Sequence, residues 1–559
     1  MLSASTWVPR GYAAEFPEKY ELDDEEMERI TAMAKLQLGD NAHEEDEDQE
    51  DTHKAQALKE DIEIDDDLKA YDLENYDNDE ESEGEDVTML PGLSGTSAKY
   101  HEGEDGQDPY LSLPTQEETE EDKKELQVFP SDNLVLATRT EDEVSYLDVY
   151  VYDDGAGNIG PDDIVDDPEL QKGYMRESSL YVHHDLMLPA FPLTVEWINY
   201  RPGSDSEDNI GNFAAIGTFD PQIEVWNLDC VDKAFPDLIL GEPEPASVPT
   251  VKKSKNKKKK KSKSQHVTTH HTDAVLSLSH NKIHRNVLAS TSADNTVKLW
   301  DLNTGVAVRS FDSIHSKKTV SSSQWHPTES SILLTGGYDG TCGITDVRLS
   351  DESEMTKSFK VSSSEEVEAV KWGISPEVFY CGTDRGNVYC FDVRRPEQPL
   401  WTLHAHDAGI SSLEVNYYLP GMLATSAMGE KVVKFWKYPV DSESKKGPSM
   451  ILSRDFGVGN VLSTSFSNDI EVAGNIVVGG AAVGLKMWDC LNNRSIRSSF
   501  KSELKDLQKR AREESAKLNK VSRVASKYQG EENYNDNVIT IDPDSSESED
   551  EDEELEDEA

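Results

Sequence analysis

The sequence predicts an all-β chain closed into a seven-bladed β-propeller, and three observations carry that prediction. A tryptophan followed by a polar or acidic residue returns at the end of short β-like runs: Val225-Trp226-Asn227, Leu299-Trp300-Asp301, Phe435-Trp436-Lys437 and Met487-Trp488-Asp489. Two degenerate copies, Ile344-Thr345-Asp346 and Tyr389-Cys390-Phe391-Asp392, keep the register, so the marks fall at 300, 345, 391, 436 and 488. A spacing of roughly 40–50 residues fits one four-stranded sheet per repeat, the unit from which propellers are built. With Leu147-Asp148 standing in for a further mark, positions 148, 226, 300, 345, 391, 436 and 488 give seven blades.

Residues 1–128 read as an acidic, mostly disordered arm. They hold 41 acidic against 10 basic side chains, too much charge and too little apolar area to offset chain entropy. Short aromatic islands interrupt the arm: Trp7-Val8-Pro9-Arg10-Gly11, Phe16-Pro17-Glu18-Lys19-Tyr20 and Asp108-Pro109-Tyr110-Leu111-Ser112-Leu113-Pro114. Trp7, Phe16 and Tyr20 are candidate docking anchors, on a partner or on the arm's own propeller. A helix fits Leu22 to Leu38, with Asp23, Asp24, Glu25 and Glu26 suited to its first turn.

The propeller is expected over 129–500, with insertions at about 153–178 and 231–266. Its first blade lacks a strand, which another part of the chain must supply if no sheet edge is to be left open. Within a blade, His271, Ser290, Asp294 and Trp300 fit a buried hydrogen-bonded chain that is structural despite its resemblance in composition to a catalytic set. Other blades keep it in part: His315 and Asp339 persist where Thr345 replaces the tryptophan, and Gly429 replaces the turn aspartate before Trp436.

Beyond Phe500 the period changes. Leu504, Leu507, Ala511, Leu518, Val521, Ala525 and Tyr528 predict one basic amphipathic helix over 501–528. It either packs its stripe on the propeller or leaves it to dock on RNA or a partner. The second is preferred, with Lys505, Lys509, Arg510, Arg512, Lys517, Lys520 and Arg523 as contacts. Residues 529–559 read as an acidic disordered tail, with 15 acidic and no basic side chains over 531–559.

The sharpest local feature is the run Lys252, Lys253, Lys255, Lys257, Lys258, Lys259, Lys260, Lys261 and Lys263, nine lysines in twelve residues. Like charges with nothing to bury do not fold alone; such a run suits nuclear import or phosphate contact. No aromatic interleaves it, so stacking on single-stranded bases is not indicated. Ser82, Ser546 and Ser548 have an acid three residues on, the context for an acidophilic kinase.

No glycine-rich phosphate cradle opens a helix. His183-His184 and His270-His271 lack second pairs at metal-ligand spacing, so neither a metal, a cofactor nor a catalytic centre is expected. Five scattered cysteines, no basic-then-apolar leader and no apolar run of spanning length predict a soluble intracellular protein.

The repeats resemble WD40 repeats, and the chain as a whole resembles the periodic tryptophan protein 1 family. The fuller resemblance rests on the two N-terminal strings and on His101-Glu102-Gly103-Glu104, Asp185-Leu186-Met187-Leu188-Pro189-Ala190-Phe191-Pro192 and Thr218-Phe219-Asp220-Pro221-Gln222-Ile223-Glu224. It implies a non-catalytic nucleolar factor that assists assembly of the large (60S) ribosomal subunit and maturation of its precursor RNA. Its implied partners are the pre-ribosomal particle's proteins and RNA, without membrane or small-molecule substrate. Two other functions fit the fold. One is a chromatin- or histone-associated regulator of ribosomal-gene transcription. The other is a ubiquitin-ligase adaptor, suggested by the Asp-x-Arg strings Asp346-Val347-Arg348 and Asp392-Val393-Arg394.

Overall fold

A computed structural model describes residues 1–20, 99–101, 110–112, 123–124, 126–155, 178–204, 209–241, 266–362, 364–439, 447–482, 484–517, 522–528 and 536–541. One compact unit comprises Met1–Tyr20, Leu126–Pro243 and Lys255–Ala559; the other, Glu21–Glu125 with Glu244–Ser254, is described chiefly at the antiparallel pair Lys99–His101 and Tyr110–Ser112.

The first unit is built from seven four-stranded antiparallel sheets. Blade 3 shows the pattern: Val275–His280 innermost, then Val287–Ser292, Val297–Asp301 and Val306–Phe311 outermost. The second strand is buried along almost its whole length, and small residues such as Ala289 and Ser290 let the neighbouring blade approach. Asn295 takes a left-handed φ of 68° in the turn between second and third strands; Gly340 and Gly386 hold the same place in blades 4 and 5. Blades 4, 5 and 6 repeat the pattern over Val320–Lys360, Val367–His404 and Ile410–Asp455. Blade 2 runs from Pro192–Ile198 through Phe213–Thr218 and Ile223–Asn227 to Leu238–Leu240. That outer strand lies within the insertion expected at 231–266, so the excursion between blades 2 and 3 is shorter than the sequence suggested.

Each innermost strand carries a register shift spanning its second residue, from Leu2/Ala4 in blade 1 to Val461/Ser463 in blade 7. The bulge twists the strand and aims the residues after it along the central channel. We call the face where these strands begin the upper face and the one where they end the lower face.

The two ends of the chain complete the ring. Leu2–Val8 is the innermost strand of blade 1, pairing with Asn133–Glu141, which is followed by Val144–Asp153 and Ser179–Leu188. Val538–Ile541 is the outermost strand of blade 7, pairing with Leu485–Asp489 after Val461–Phe466 and Asn475–Gly480. The propeller therefore begins at Leu2 rather than near Phe129, and it ends at Ile541 rather than Phe500. Two pieces assigned to acidic tails are structural strands. Their composition was diluted by the acidic residues around them, although four to seven residues with a few apolar anchors, such as Leu2, Trp7 and Val8, suffice for an edge or inner strand.

Closure uses the same contact as the joints that follow blades 4 and 5. A Cβ on Gly336 would lie 2.7 Å from Val367, one on Gly382 2.8 Å from Ile410, and one on Gly479 3.0 Å from Leu2. In each case a second-strand glycine admits the first apolar residue of the next blade. Leu2, Trp7, Val135, Tyr150 and Tyr152 of blade 1 then form one buried cluster with Val477, Leu485 and Met487 of blade 7.

Between the third and fourth strands of blade 7 the chain makes helices Arg494–Ser499, Lys501–Lys517 and Val524–Lys527 on the lower face. The expected single helix over 501–528 is thus interrupted, and residues 518–521 lie outside the described set. Leu504, Leu507, Ala511, Val524 and Tyr528 are buried in the cluster of Phe435, Phe466 and Trp488. The helix does not leave the propeller, because its apolar stripe is spent on blades 6 and 7. Glu471 of blade 7 caps the last helix, accepting from the backbone N–H of Arg523 and Val524 and from Ser515 and Ser522.

All five cysteines are buried and free. Among the described residues no helix is long and apolar enough to cross a membrane.

Candidate functional site

The blade networks come first because they fix the platform. In blade 3, Trp300 Nε1 donates to Ser290 Oγ (2.8 Å), Ser290 donates to His271 Nε2 (2.7 Å), and His271 Nδ1 donates to Asp294 Oδ2 (2.9 Å). This assignment uses every hydrogen once and leaves the imidazole neutral, in keeping with burial lowering the His271 pKa. Burial pushes the Asp294 carboxyl up, but hydrogen bonds from His271, from Thr296 and from the backbone of Thr272 outweigh it and hold Asp294 well below the usual range. His315, Thr335 and Asp339 repeat the arrangement in blade 4.

Blade 6 holds a version the sequence concealed. His406 reaches Thr425 (2.9 Å) and Glu430 (2.7 Å), and Trp436 Nε1 donates to Thr425 (2.9 Å). Glu430, one residue past Gly429 and one methylene longer than aspartate, does the turn residue's work. In blade 2, Trp226 donates to Glu224 on its own strand; in blade 7, Trp488 donates to Asp536, 48 residues on.

A second tryptophan register, absent from the sequence reading, lies at the end of the innermost strands: Trp7, Trp197, Trp325 and Trp372. Trp325 Nε1 donates to the carbonyl of Ser279 (3.0 Å) and Trp372 Nε1 to that of Gln324 (3.2 Å), each in the preceding blade. Trp7 Nε1 does the same to Ser465 of blade 7 (3.1 Å). Trp7 is 1 % exposed, so it docks on the chain's own propeller, stapling the ring, and is not available to a partner. The signal was its place five residues after Leu2, as Trp325 and Trp372 stand five residues after Val320 and Val367. Phe16, in contrast, is 51 % exposed. Tyr20 is half-buried under Lys233, with its backbone N–H bonded to Val231.

The residue before each of these tryptophans, and before the matching His280, Val415 and Phe466, faces the channel. The seven are Thr6, Glu196, Ser279, Gln324, Lys371, Glu414 and Ser465, one per blade, and they line a cavity of about 390 Å³ at the lower mouth. Glu196, Ser279 and Gln324 accept the backbone N–H of His280, Trp325 and Trp372 in the next blade (3.0, 3.0 and 2.6 Å). Lys371, with no lone pair to offer, breaks the series and donates to Glu414 Oε1 at 2.6 Å. Burial alone would lower its pKa, yet Glu414, Tyr417 and Glu196 raise it above the usual lysine range. Burial raises Glu196 and Glu414. Above this collar the channel is lined by hydroxyls, among them Ser277, Ser322, Ser412 and Ser463.

The cations of the long helix divide by flank. Lys501, Lys505 and Arg512 share one exposed flank with Lys509 at its edge, three residues from Asp506 and four from Glu513, whereas Arg510 and Lys517 lie among Glu503, Asp506, Glu513 and Glu514. Arg510 donates to Tyr418 O and Arg512 to Ala525 O. Arg523 turns inward, 3.6 Å from Asp154 of blade 1 with 11 % of its side chain exposed, and so is not a surface contact. Lys520, the lysines of 252–263, Ser82, Ser546 and Ser548 lie outside the described residues. The flanks of the lysine run, Gly241 and His266, fall on the upper face, opposite the helices; buried Lys298 holds the returning chain through Val267 O (2.6 Å). Arg348 and Arg394 of the two Asp-x-Arg strings fold back on Asp346 (2.7 Å) and Asp392 (2.9 Å).

Among known proteins, the family model for the WD domain, G-beta repeat, matches residues 262–301 and 306–346, chiefly blades 3 and 4, where the His–Asp pair is intact. The chain is 59 % identical to periodic tryptophan protein 1 of Saccharomyces cerevisiae, over 97 % of each chain. It is 38 % identical to an uncharacterised WD repeat-containing protein of Schizosaccharomyces pombe, over 96 % of each. It is also 32 % identical to the periodic tryptophan protein 1 homologue of Drosophila melanogaster, over 78 % of this chain and 83 % of that one.

Proposed function

The chain belongs to the periodic tryptophan protein 1 family, and from that premise we propose that it is a non-catalytic scaffold in large-subunit ribosome assembly and precursor-RNA processing, acting in the nucleolus. The observation that carries the reading is the extent of the likeness: 59 % identity over 97 % of the chain takes in the arms and tails as well as the repeats. Basic segments support it from two sides. The chain leaves the upper face at Gly241 and returns there at His266, with the lysine run between them in the sequence, and the flank Lys501, Lys505, Lys509 and Arg512 lies on the lower face. Helical residues four apart rise about 6 Å, close to the spacing of phosphates along one strand.

Affinity purification of the tagged chain, with the eluate probed for ribosomal RNA precursors, tests the proposal. Large-subunit precursors should co-purify and small-subunit precursors should not. Histones and ribosomal DNA without precursor RNA would overturn it in favour of a chromatin role. Replacing Lys257 to Lys261 by serine should reduce nuclear import or particle association, read by localisation and sedimentation.

A further inference from the structure

The helix Lys501–Lys517 is held in place by a stripe that is separate from its charge. Leu504, Leu507 and Ala511 are buried against blades 6 and 7. About a quarter-turn around the helix, Lys501, Lys505 and Arg512 stand exposed in one line. At 1.5 Å per residue that line is about 16 Å long. None of the three has an ion pair among the described residues. The acids of the helix are placed elsewhere: Glu503 pairs with Lys437 (2.7 Å), and Asp506 and Glu513 border the flank only at Lys509. On the other side lies Val524–Lys527, which carries no acid and accepts hydrogen bonds from Gln508 and Arg512 at the carbonyls of Val524 and Ala525. The chain has 111 acidic against 55 basic side chains. Three fixed cations kept clear of all those carboxylates are not needed for folding, which the buried stripe already secures.

We infer that this flank holds double-helical RNA by the phosphates of one strand, without reading bases. That the polyanion is RNA rests on the assembly role proposed above; the choice of a duplex comes from the flank itself. Its exposed side chains are Lys501, Ser502, Lys505, Lys509, Arg512 and Ala516, with no aromatic ring among them. Unpaired strands are held largely by stacking their bases on such rings, whereas a duplex is held through its shape and its backbone. Cations on one fixed line suit the second mode. An acidic protein segment fits less well: the flank offers it no large apolar side chain to bury, and exposed ion pairs alone contribute little. A nucleic acid gains in addition from the counterions it releases at each phosphate contact.

The test titrates the full chain with a labelled RNA duplex of about 16 base pairs, and with one of its strands alone, between about 0.05 and 0.2 M salt. One variant joins Lys501→Gln, Lys505→Gln and Arg512→Gln; a second has Lys257 to Lys261 replaced by serine, and a third combines the two sets. Thermal unfolding of each confirms that it is folded. The wild-type chain should bind the duplex more tightly than the strand. The flank variant should bind the duplex about tenfold or more weakly, with a slope of log affinity against log salt smaller by about 3, one for each lost contact. The same loss should appear when the serine-substituted chain is compared with the combined variant. Equal affinity and slope in wild type and flank variant would overturn the inference, as would tighter binding of the strand or no binding of the duplex at about 0.05 M salt. So would displacement of the duplex by polyglutamate as readily as by unlabelled duplex, which would make an acidic protein segment the occupant. If large-subunit precursors co-purify while the flank variant keeps its duplex affinity, this inference falls and the assembly role stands.

Discussion

Blades 3 and 7 have the same four strands and the same buried tryptophan, but they are assembled differently. Blade 3 draws everything from one continuous stretch, His271 to Phe311, including the partners of Trp300. Blade 7 takes its outer strand from Val538–Ile541, and Trp488 finds its acceptor in Asp536, which also holds Arg454 (2.7 Å) and Asn493 (3.1 Å). Its neighbour across the closing joint, blade 1, is begun by Leu2–Val8, more than 120 residues before its next strand. A local blade is specified by its repeat, whereas the closing blades are specified by geometry that any suitable segment can satisfy. The long intervals between their strands leave room for the acidic arm and the lower-face helices without opening a sheet edge.

The comparison breaks most readily at the closing joint. Trp7→Ala should cost about 3–5 kcal/mol, as much as Trp300→Ala, because both remove a fully buried indole; denaturant unfolding of the two variants checks the equality. If Trp7→Ala costs under about 1 kcal/mol, the N-terminal strand is an accessory and the ring closes without it. Glu224 sharpens the contrast on the blade 2 side. Its carboxyl is pushed up to about 7 by burial, against an ordinary 4.5. The folded state therefore keeps a proton that the unfolded chain releases between those values, so stability falls as pH rises from 4.5 through 7 and stays reduced above it. Glu224→Gln should flatten that slope and gain about 2–3 kcal/mol at pH 8, measured by thermal unfolding at pH 5 and pH 8. Asp294→Ala, which strands a buried histidine, should cost about 2–3 kcal/mol, and Asp536→Ala, at a more exposed cluster, about 1–2 kcal/mol. Least of all, Lys505→Ser with Lys509→Ser should change stability by under about 0.5 kcal/mol, while reducing retention on precursor particles.

The blades with local networks were legible because a tryptophan, a turn aspartate and a histidine at fixed spacing leave a pattern that reads without structure. Trp226, Trp300, Trp436 and Trp488 all stand on third strands. Blade 6 was only half legible, since Glu430 replaces the turn aspartate one position late. Trp7 was misread because its neighbours are an acidic arm, and composition averages over the very residues that differ. The helix over 501–517 was found, but its destination was not: a basic surface describes the exposed flank, and Leu504, Leu507 and Ala511 decide where the helix lies. The channel collar left no periodic trace at all. Thr6, Glu196, Ser279, Gln324, Lys371, Glu414 and Ser465 share a place in the fold without sharing a chemistry, and only the strand register brings them together.

Hydrogen exchange of backbone amides in the full chain tests the closure most directly. The amides of Leu2–Val8 should be as protected as those of Val275–His280, the innermost strand of blade 3, because each pairs on one side with the second strand of its own blade. Exchange of residues 2–8 at the rate of a free peptide, with Val275–His280 still protected, would return the N-terminus to an unpaired arm and contradict the account.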